Sequence, residues 1–503
     1  MAPPTTSAPA RPESAGATPT APRVAHKGLV LAVIAVAQLM VVLDATIVNI
    51  ALPSAQKALG FANADRQWIV TAYALSFGSL LLLGGRIGDL IGRRTTFIIG
   101  LAGFALASAV GGASTSFAML VTARAAQGVF GAVLAPSALG MLTTTFTEPR
   151  ERGRAFGIFS AVAGGGSAVG LVLGGLLTES LSWRWCLYVN LIFALGAGIG
   201  AVLVLSNPPR TGRPRLDIPG TVIASAGLFC IVLGFSEADT SGWATPVTLL
   251  LLAGGIVALI GFLVLESRVA NPLLPLRVVA DRARGGAYLA VVTSATAIFG
   301  VFLFLAFYLQ TIRGYSPIVN GLAFLPLTAG ILVSSTTGNV IVYPKLGAKI
   351  MVAVGMVGGA VGMLGLSRLG LHSSYAAGVL PWLVLLGLSF GWIFSPAINQ
   401  ATAGVRPDDA GVASALVNTG QQVGGSIGVA LLSTLAADAA GSFARSHHAG
   451  QLTPVLAAVH GYTTSFEVSA AIFIVGAAVC GALLPAGRPA HLAGTPETAA
   501  VVH

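Results

Sequence analysis

The sequence GRIGDLIGRR, at residues 85–94, decides the fold because it joins two apolar runs through one short charged turn. Residues 68–85 lead into it and residues 96–114 follow it. Each run has about the length that a membrane-spanning helix needs. The glycines of the motif permit a tight turn, and Asp89 can accept hydrogen bonds from nearby arginines or cap a facing helix end. We therefore predict two antiparallel spans joined by a positively charged loop.

The composition extends this interpretation to the whole chain. Of its 503 residues, 55% are hydrophobic and only 9% are charged, whereas about 25% of the residues of a soluble domain are charged. The mean hydropathy is +0.86. This leaves too little polar surface for a water-soluble fold, so we expect an all-α integral membrane protein whose solvent is mostly the bilayer.

The apolar runs recur along the chain, and we count fourteen of them. We expect two six-helix halves with two inserted central helices between them. The predicted spans are at residues 28–50, 68–85, 96–114, 117–142, 155–178, 185–205, 218–236, 246–265, 287–310, 318–342, 350–368, 376–398, 411–436 and 465–485.

The basic residues give the predicted orientation. With both termini in the cytoplasm, twenty of the 27 lysines and arginines fall in inner segments and six in outer loops. This asymmetry is typical of a multi-pass protein of the cell membrane. The net charge of +10 is explained by these short loops, so we do not expect nucleic-acid binding.

An internal repeat supports the two halves. At an offset of 258 residues, Pro149 aligns with Pro407, Gly166 with Gly424, and Gly170 with Gly428. Parallel repeats of this kind occur in transporters. The predicted organisation is a disordered cytoplasmic tail at 1–26, an N-terminal half at 27–206, a linker with two extra helices at 207–285, a C-terminal half at 286–486 and a disordered tail at 487–503.

Two charged residues lie at membrane depth and are the main candidates for function. Asp44 lies inside the first span, where a carboxylate is costly and functional by default. Arg124 lies in the fourth span, with Gln127 on the same helix face. Asp44 could take a proton from one side and release it to the other, and Arg124 could modulate it electrostatically or sense a substrate dipole. The alternatives are a structural carboxyl, paired or hydrogen-bonded at a helix interface, for Asp44 and a structural hydrogen-bond hub for Arg124.

Weaker candidates surround these two. The glycines at 166, 170 and 174 line one helix face and allow close backbone approach. We expect no metal site, cofactor or enzyme activity, because the sequence has no metal spacing, no nucleophile with a base and no phosphate-binding loop. The polar or aromatic positions that could line a central cavity are Tyr73, Gln127, Trp392, Asn418 and Gln421.

Residues 28–485 resemble the Major Facilitator Superfamily, in particular its fourteen-helix drug:proton antiporter branch. The resemblance rests on residues 85–94, on LDATIVNIALP at 43–53 and on RAAQG at 124–128. It implies that Asp44 is the protonation site and that Arg124 couples it to transport. It also implies that Asp89 with Arg93 forms the gate between the halves. The other gating candidates, from the tight turn and from the helix face that could slide between the halves, are Gly85, Gly92, Arg94, Gly166, Gly170 and Gly174.

One position departs from the family pattern, in which a proline follows the glycine of the fifth-helix motif. Here Leu171 follows Gly170, and the kink that a proline imposes is absent. The resemblance predicts a proton-coupled exporter of small amphipathic compounds such as antibiotics, working as a monomer. A transporter of metabolites, siderophores or amino acids with the same fold is the alternative.

Overall fold

The computed structural model describes residues 27–62, 65–146, 148–205, 217–269, 272–403, 405, 410–447 and 450–487. The predicted tail at 1–26, and all but residue 487 of the tail at 487–503, lie outside the described residues.

Every regular element in those ranges is a helix. The helices are α1 Lys27–Leu59, α2 Gln67–Ile91, α3 Arg93–Gly112, α4 Phe117–Thr145, α5 Pro149–Ser180, α6 Trp185–Val204, α7 Ile218–Ser241, α8 Pro246–Glu266, α9 Leu276–Val279, α10 Arg282–Gly300, α11 Pro317–Ala323, α12 Leu325–Thr337, α13 Tyr343–Leu366, α14 Leu380–Thr402, α15 Ala410–Ser446 and α16 Thr453–Leu483.

Twelve helical stretches of the described chain are long and apolar enough to cross a membrane. They include α10 with its π-helical continuation to Ile312, and α11 together with α12. The prediction of an all-helical protein with many spans is therefore confirmed, but the count of fourteen is not. Of the predicted spans, those that fall in α2 and α5 are not among these twelve stretches.

The long helices form two groups with matching contacts. In the first group, α1 packs on α5 and α6, while α2 and α3 pack on α4. In the second group, α10 packs on α15 and α16, while α12 and α13 pack on α14. The hairpin of α7 and α8 packs on itself, and α7 also contacts α2 and α15.

Glycines bring the paired helices together in both groups. A Cβ atom on Gly170 of α5 would overlap the Thr46 hydroxyl of α1, and one on Gly428 of α15 would overlap the Thr296 carbonyl of α10. Such close approach is what small residues permit between membrane helices. The same device therefore joins α5 to α1 and α15 to α10.

The two groups meet where α2 packs on α15 and again at the end that the charge pattern predicts to be outer. There the backbone of Gly321 lies against the carbonyl of Leu171. The Gln310 amide donates to the Ile50 carbonyl at 3.0 Å, and the Ile318 N–H donates to the Glu179 carboxylate at 3.1 Å. These contacts close the predicted outer end.

Candidate functional site

A buried ion pair joins α1 and α4. Nη1 of Arg124 lies 2.6 Å from Oδ2 of Asp44. Asp44 is 0% exposed and Arg124 is 1% exposed. Both residues sit in the middle of long apolar helices, where an isolated charge would cost several kcal/mol. The pairing compensates both charges.

Amide side chains complete the coordination of the Asp44 carboxylate. Its Oδ1 accepts from Asn190 Nδ2 on α6 at 2.7 Å and from Gln127 Nε2 on α4 at 3.0 Å. The Gln127 amide also donates to the Ser108 hydroxyl on α3 at 2.7 Å. The carboxylate thus accepts from three side-chain donors on two helices, as its ionised form requires.

Arg124 is held on all sides as well. Its Nε donates to the Ile69 carbonyl of α2 at 3.1 Å, and its Nη1 donates to the Gln127 amide oxygen at 2.8 Å. Its guanidinium carbon lies 4.4 Å from the centre of the Tyr73 ring, a cation–π distance. The Tyr73 hydroxyl is buried without a hydrogen-bond partner in the described structure.

The network ties together five helices of the first group through one acid. Protonation of Asp44 would remove the negative charge that compensates Arg124. It would also turn one oxygen from an acceptor into a donor that faces the donors already bound to it: Asn190 and Gln127 at Oδ1, or Arg124 at Oδ2. A change in the charge of Asp44 would therefore disturb the contacts that hold α1 to α4.

The predicted cavity residues fall into two sets. Tyr73 and Gln127 belong to the ion-pair network. Trp392 on α14 packs against Met351 on α13. Asn418 is exposed and donates to a carbonyl of its own helix, α15. Gln421 lies half-buried on α15, so these three residues are not part of the Asp44 network.

The loop motif packs on α4. Gly92 adopts a positive φ of 97° between α2 and α3, which an L side chain would strain. Nη1 of Arg93 donates to the Gly140 carbonyl at 2.6 Å, and Nη2 of Arg94 donates to the Val202 carbonyl at 3.0 Å. Gly85 lies beside Pro136. The Asp89 side chain lies outside the described part of the structure.

The position that departs from the family pattern lies inside an unbroken helix. Leu171 is 0% exposed, and α5 runs from Pro149 to Ser180 without interruption. The backbone carbonyl of Leu171 lies where a Cβ atom on Gly321 would stand. With leucine at this position, α5 stays helical where it meets the second group of helices.

Comparison with known proteins decides the family. The sequence model of the Major Facilitator Superfamily matches residues 34–429. The chain belongs to this superfamily. The resemblance drawn from residues 43–53, 85–94 and 124–128 is confirmed, and the protein is a multi-pass membrane transporter rather than an enzyme.

Two superfamily relatives match over 90% of this chain. The puromycin resistance protein pur8 of Streptomyces alboniger is 48% identical, and 90% of its length is covered. The cephamycin export protein CmcT of Amycolatopsis lactamdurans is 40% identical, with 91% covered. Among solved structures, the POT family transporter PepTSo aligns with a TM-score of 0.67 at 15% identity, over 91% of this chain and 98% of that one. The last likeness bears on the fold alone.

Sequence reasoning found Asp44, Arg124 and Gln127 but missed Asn190 and Ser108. Both missed residues are single uncharged polar groups in apolar runs. Such residues are common in membrane helices, where they hydrogen-bond across helices. The one available signal was that Asn190 lies deep in the sixth span, where an amide needs a partner.

Proposed function

We propose that this superfamily member exports small amphipathic antibiotics or drugs in exchange for protons. Its likeness to pur8 and CmcT extends over nearly the full length of all three chains. A relative named as a tetracenomycin C resistance and export protein, from Streptomyces glaucescens, is 36% identical over 82% of this chain. These relatives support export of antibiotics as the class of activity.

The observation that carries proton coupling is the Asp44–Arg124 pair. It is fully buried, links α1 to α4, and is hydrogen-bonded directly to α6 and α2 and through Gln127 to α3, so a change in its charge state requires local rearrangement. The proposed cycle has two parts. Ionised Asp44 holds α1 to α4 in the state described above, and protonated Asp44 releases Arg124 and permits the opposite opening.

The topology that fits this cycle has fourteen spans, with α2 and α5 crossing the membrane in addition to the twelve apolar stretches. The halves at 27–206 and 286–486 would rock about a central site, with α7 and α8 inserted between them by the linker at 207–285. We place both termini in the cytoplasm and the protein in the cell membrane. A monomer suffices, because both halves lie in one chain.

A membrane potential provides enough energy for this exchange. Moving one charge through 100 mV yields about 2.3 kcal/mol. At about 1.4 kcal/mol for each tenfold change, one electrogenic proton supports roughly a 40-fold gradient of a neutral compound. A single coupling acid is therefore sufficient for resistance.

The test compares growth inhibition in a drug-sensitive bacterial host with and without the gene. We expect higher inhibitory concentrations for puromycin-like or other amphipathic antibiotics, and collapse of the difference when a protonophore is added. Counterflow in proteoliposomes with amino acids, siderophores and the same antibiotics separates export of drugs from metabolite transport. Flux of a metabolite without flux of any antibiotic would overturn the proposal.

A further inference from the structure

Two carboxyl groups meet at the predicted inner end of the α7–α8 hairpin, far along the chain from Asp44. Asp217 immediately precedes α7 and Glu266 ends α8. They are 8% and 3% exposed. Asp217 Oδ1 accepts from the Gly220 N–H at 3.0 Å, and Glu266 Oε2 accepts from the Leu274 N–H at 2.9 Å. One oxygen of each group is therefore satisfied by the backbone.

The second oxygens face each other. Asp217 Oδ2 and Glu266 Oε1 are both buried with no donor among the described residues. Both lie against the position that a Cβ on Gly220 would take, with Glu266 Oε1 at 2.7 Å from it. The two side chains are within hydrogen-bonding reach of each other. Two carboxylates are both acceptors, so a bond between them requires that one carries a proton.

The surroundings offer no compensating cation in the described structure. The side chains that pack here from α7, α8, α15 and the following segment are apolar, among them Phe262, Leu273 and Leu416. The charged group that acts on Glu266 is Asp217. The charged side chains on the helices and segments packed against the pair have the following positions and contacts. Arg86 of α2 donates to the Pro272 carbonyl, Arg284 pairs with Asp281 and donates to the Arg277 carbonyl, and Arg268 follows α8.

We propose that Asp217 and Glu266 share one proton and form a second protonation site at the predicted inner end, separate from Asp44. The proton bridges Asp217 Oδ2 and Glu266 Oε1, and no other bond changes when it binds. While it is present, Glu266 stays in place and holds the segment after α8 through the Leu274 N–H. That segment contacts α2 through Arg86 and Pro272, so the pair fastens the hairpin to the loop motif.

The proposal is tested by infrared spectroscopy of the purified full-length protein, in an Asp44→Asn background that removes the coupling acid. We expect a protonated carboxyl C=O band at about pH 7 that shifts in deuterated buffer. Ordinary surface carboxyls are ionised at that pH. Either Asp217→Asn or Glu266→Gln should abolish the same band, because each amide can replace the bridging proton with an N–H donor. Two independent acids would each lose only their own contribution.

The matched control is Glu237→Gln, which removes a carboxyl at the opposite end of α7 that accepts from the Ser241 hydroxyl. It should leave the band unchanged. If the Asp44→Asn protein, with Asp217 and Glu266 unchanged, shows no protonated carboxyl band at about pH 7, the proposal is overturned. Survival of the band in both single variants would also overturn it. The readout needs no transport, so failure of the proposed export function would leave it intact.

Discussion

Arg124 Nη1 lies 2.6 Å from Asp44 Oδ2, and neither side chain reaches solvent. Removing one partner of a buried pair typically costs about 3–5 kcal/mol, because the other charge is left uncompensated. The two residues therefore change state together. A proton that neutralises Asp44 would leave Arg124 without its compensating charge, which is the physical basis of the proposed coupling.

Asp44→Asn mimics the protonated acid, since the amide keeps the shape and removes the charge. We expect proton-driven antibiotic accumulation in inverted vesicles to fall by at least about tenfold, which corresponds to about 1.4 kcal/mol. Drug–drug counterflow, which requires no net proton movement, should persist. Both rates are measured on the same preparation of inverted vesicles, with and without a pH gradient.

The control for this variant is Asp438→Asn, which removes an exposed acid on α15. It should leave both rates unchanged. Equal pH-driven accumulation in Asp44→Asn and the unmodified protein would contradict the role of the pair.

Asn190 positions Asp44 from a third helix. Asn190→Leu keeps a similar volume but removes the donor 2.7 Å from Asp44 Oδ1. A hydrogen bond to a charged group contributes about 1.5–3 kcal/mol. We expect a lower melting temperature of the purified protein, together with a larger loss of proton-driven transport than of counterflow. Equal losses of both rates would assign Asn190 to packing alone.

The sequence predicted the charged residues of this site, because a charged residue type in an apolar run is visible without knowledge of the fold. Asp44 and Arg124 stand out in apolar runs by their residue type. The approach of Asn190 and Ser108 depends on how α6 and α3 pack on α1 and α4, which no local pattern contains. Sequence reasoning also had no means to separate Trp392 and Asn418 from Tyr73, since all are polar or aromatic positions within spans.

The span count depends on α2 and α5, which are not among the twelve apolar stretches of the described residues. In α5, Gly166, Gly170 and Gly174 face α1, and in α2 Gly84 and Gly88 lie against α4. The sequence predicted that small residues would permit close approach, but not which helix each of them would meet.

Arg66 seals the predicted outer end from the first group of helices. It is 7% exposed, and its guanidinium carbon lies 4.3 Å from the centre of the Phe307 ring and 5.5 Å from that of Tyr462. Cation–π contacts contribute about 0.5–2 kcal/mol. We expect Arg66→Gln to raise the ratio of outward-open to closed protein roughly two- to thirty-fold.

Hydrogen exchange followed by mass spectrometry measures this shift. Peptides that cover the start of α2 and the continuation of α10 to Ile312 should exchange faster in Arg66→Gln than in the unmodified protein. Arg66→Lys should give an intermediate result, because lysine keeps the charge but not the planar stacking. Unchanged exchange in both variants would contradict a sealing role.

Glu179 makes the outer contact sensitive to acid. Hydrogen bonds from the Ser316 side chain and the Ile318 N–H lower the pKa of Glu179 from its ordinary value of 4.5. The closed state holds the ionised form, so the contact is fully present above pH 4.5 and is lost as the pH falls through the lowered pKa. Acid on the outer side should therefore favour opening.

Spin labels on Leu181→Cys and Val319→Cys measure this opening by their separation. The exposed positions 181 and 319 flank the contact. Of the native cysteines, Cys186 and Cys480 are buried and should not take the label, and Cys230 is replaced by serine. Longer distances should appear below about pH 4.5, and already at neutral pH in Glu179→Ala. A separation independent of pH in both proteins would show that this contact does not control the outer end.

The close approach of α5 to α1 depends on the absence of a side chain at residue 170. Gly170→Ala would drive a methyl group into Thr46, whereas nothing lies within 4 Å of a Cβ on Gly165 of the same helix. Overpacking of this kind typically costs about 1–3 kcal/mol. We expect Gly170→Ala to lower the melting temperature and the transport rate. Gly428→Ala should do the same in the second group, because its Cβ would meet the Thr296 backbone. Gly165→Ala should match the unmodified protein, and equal stability of all three variants would mean that the helices separate further than described.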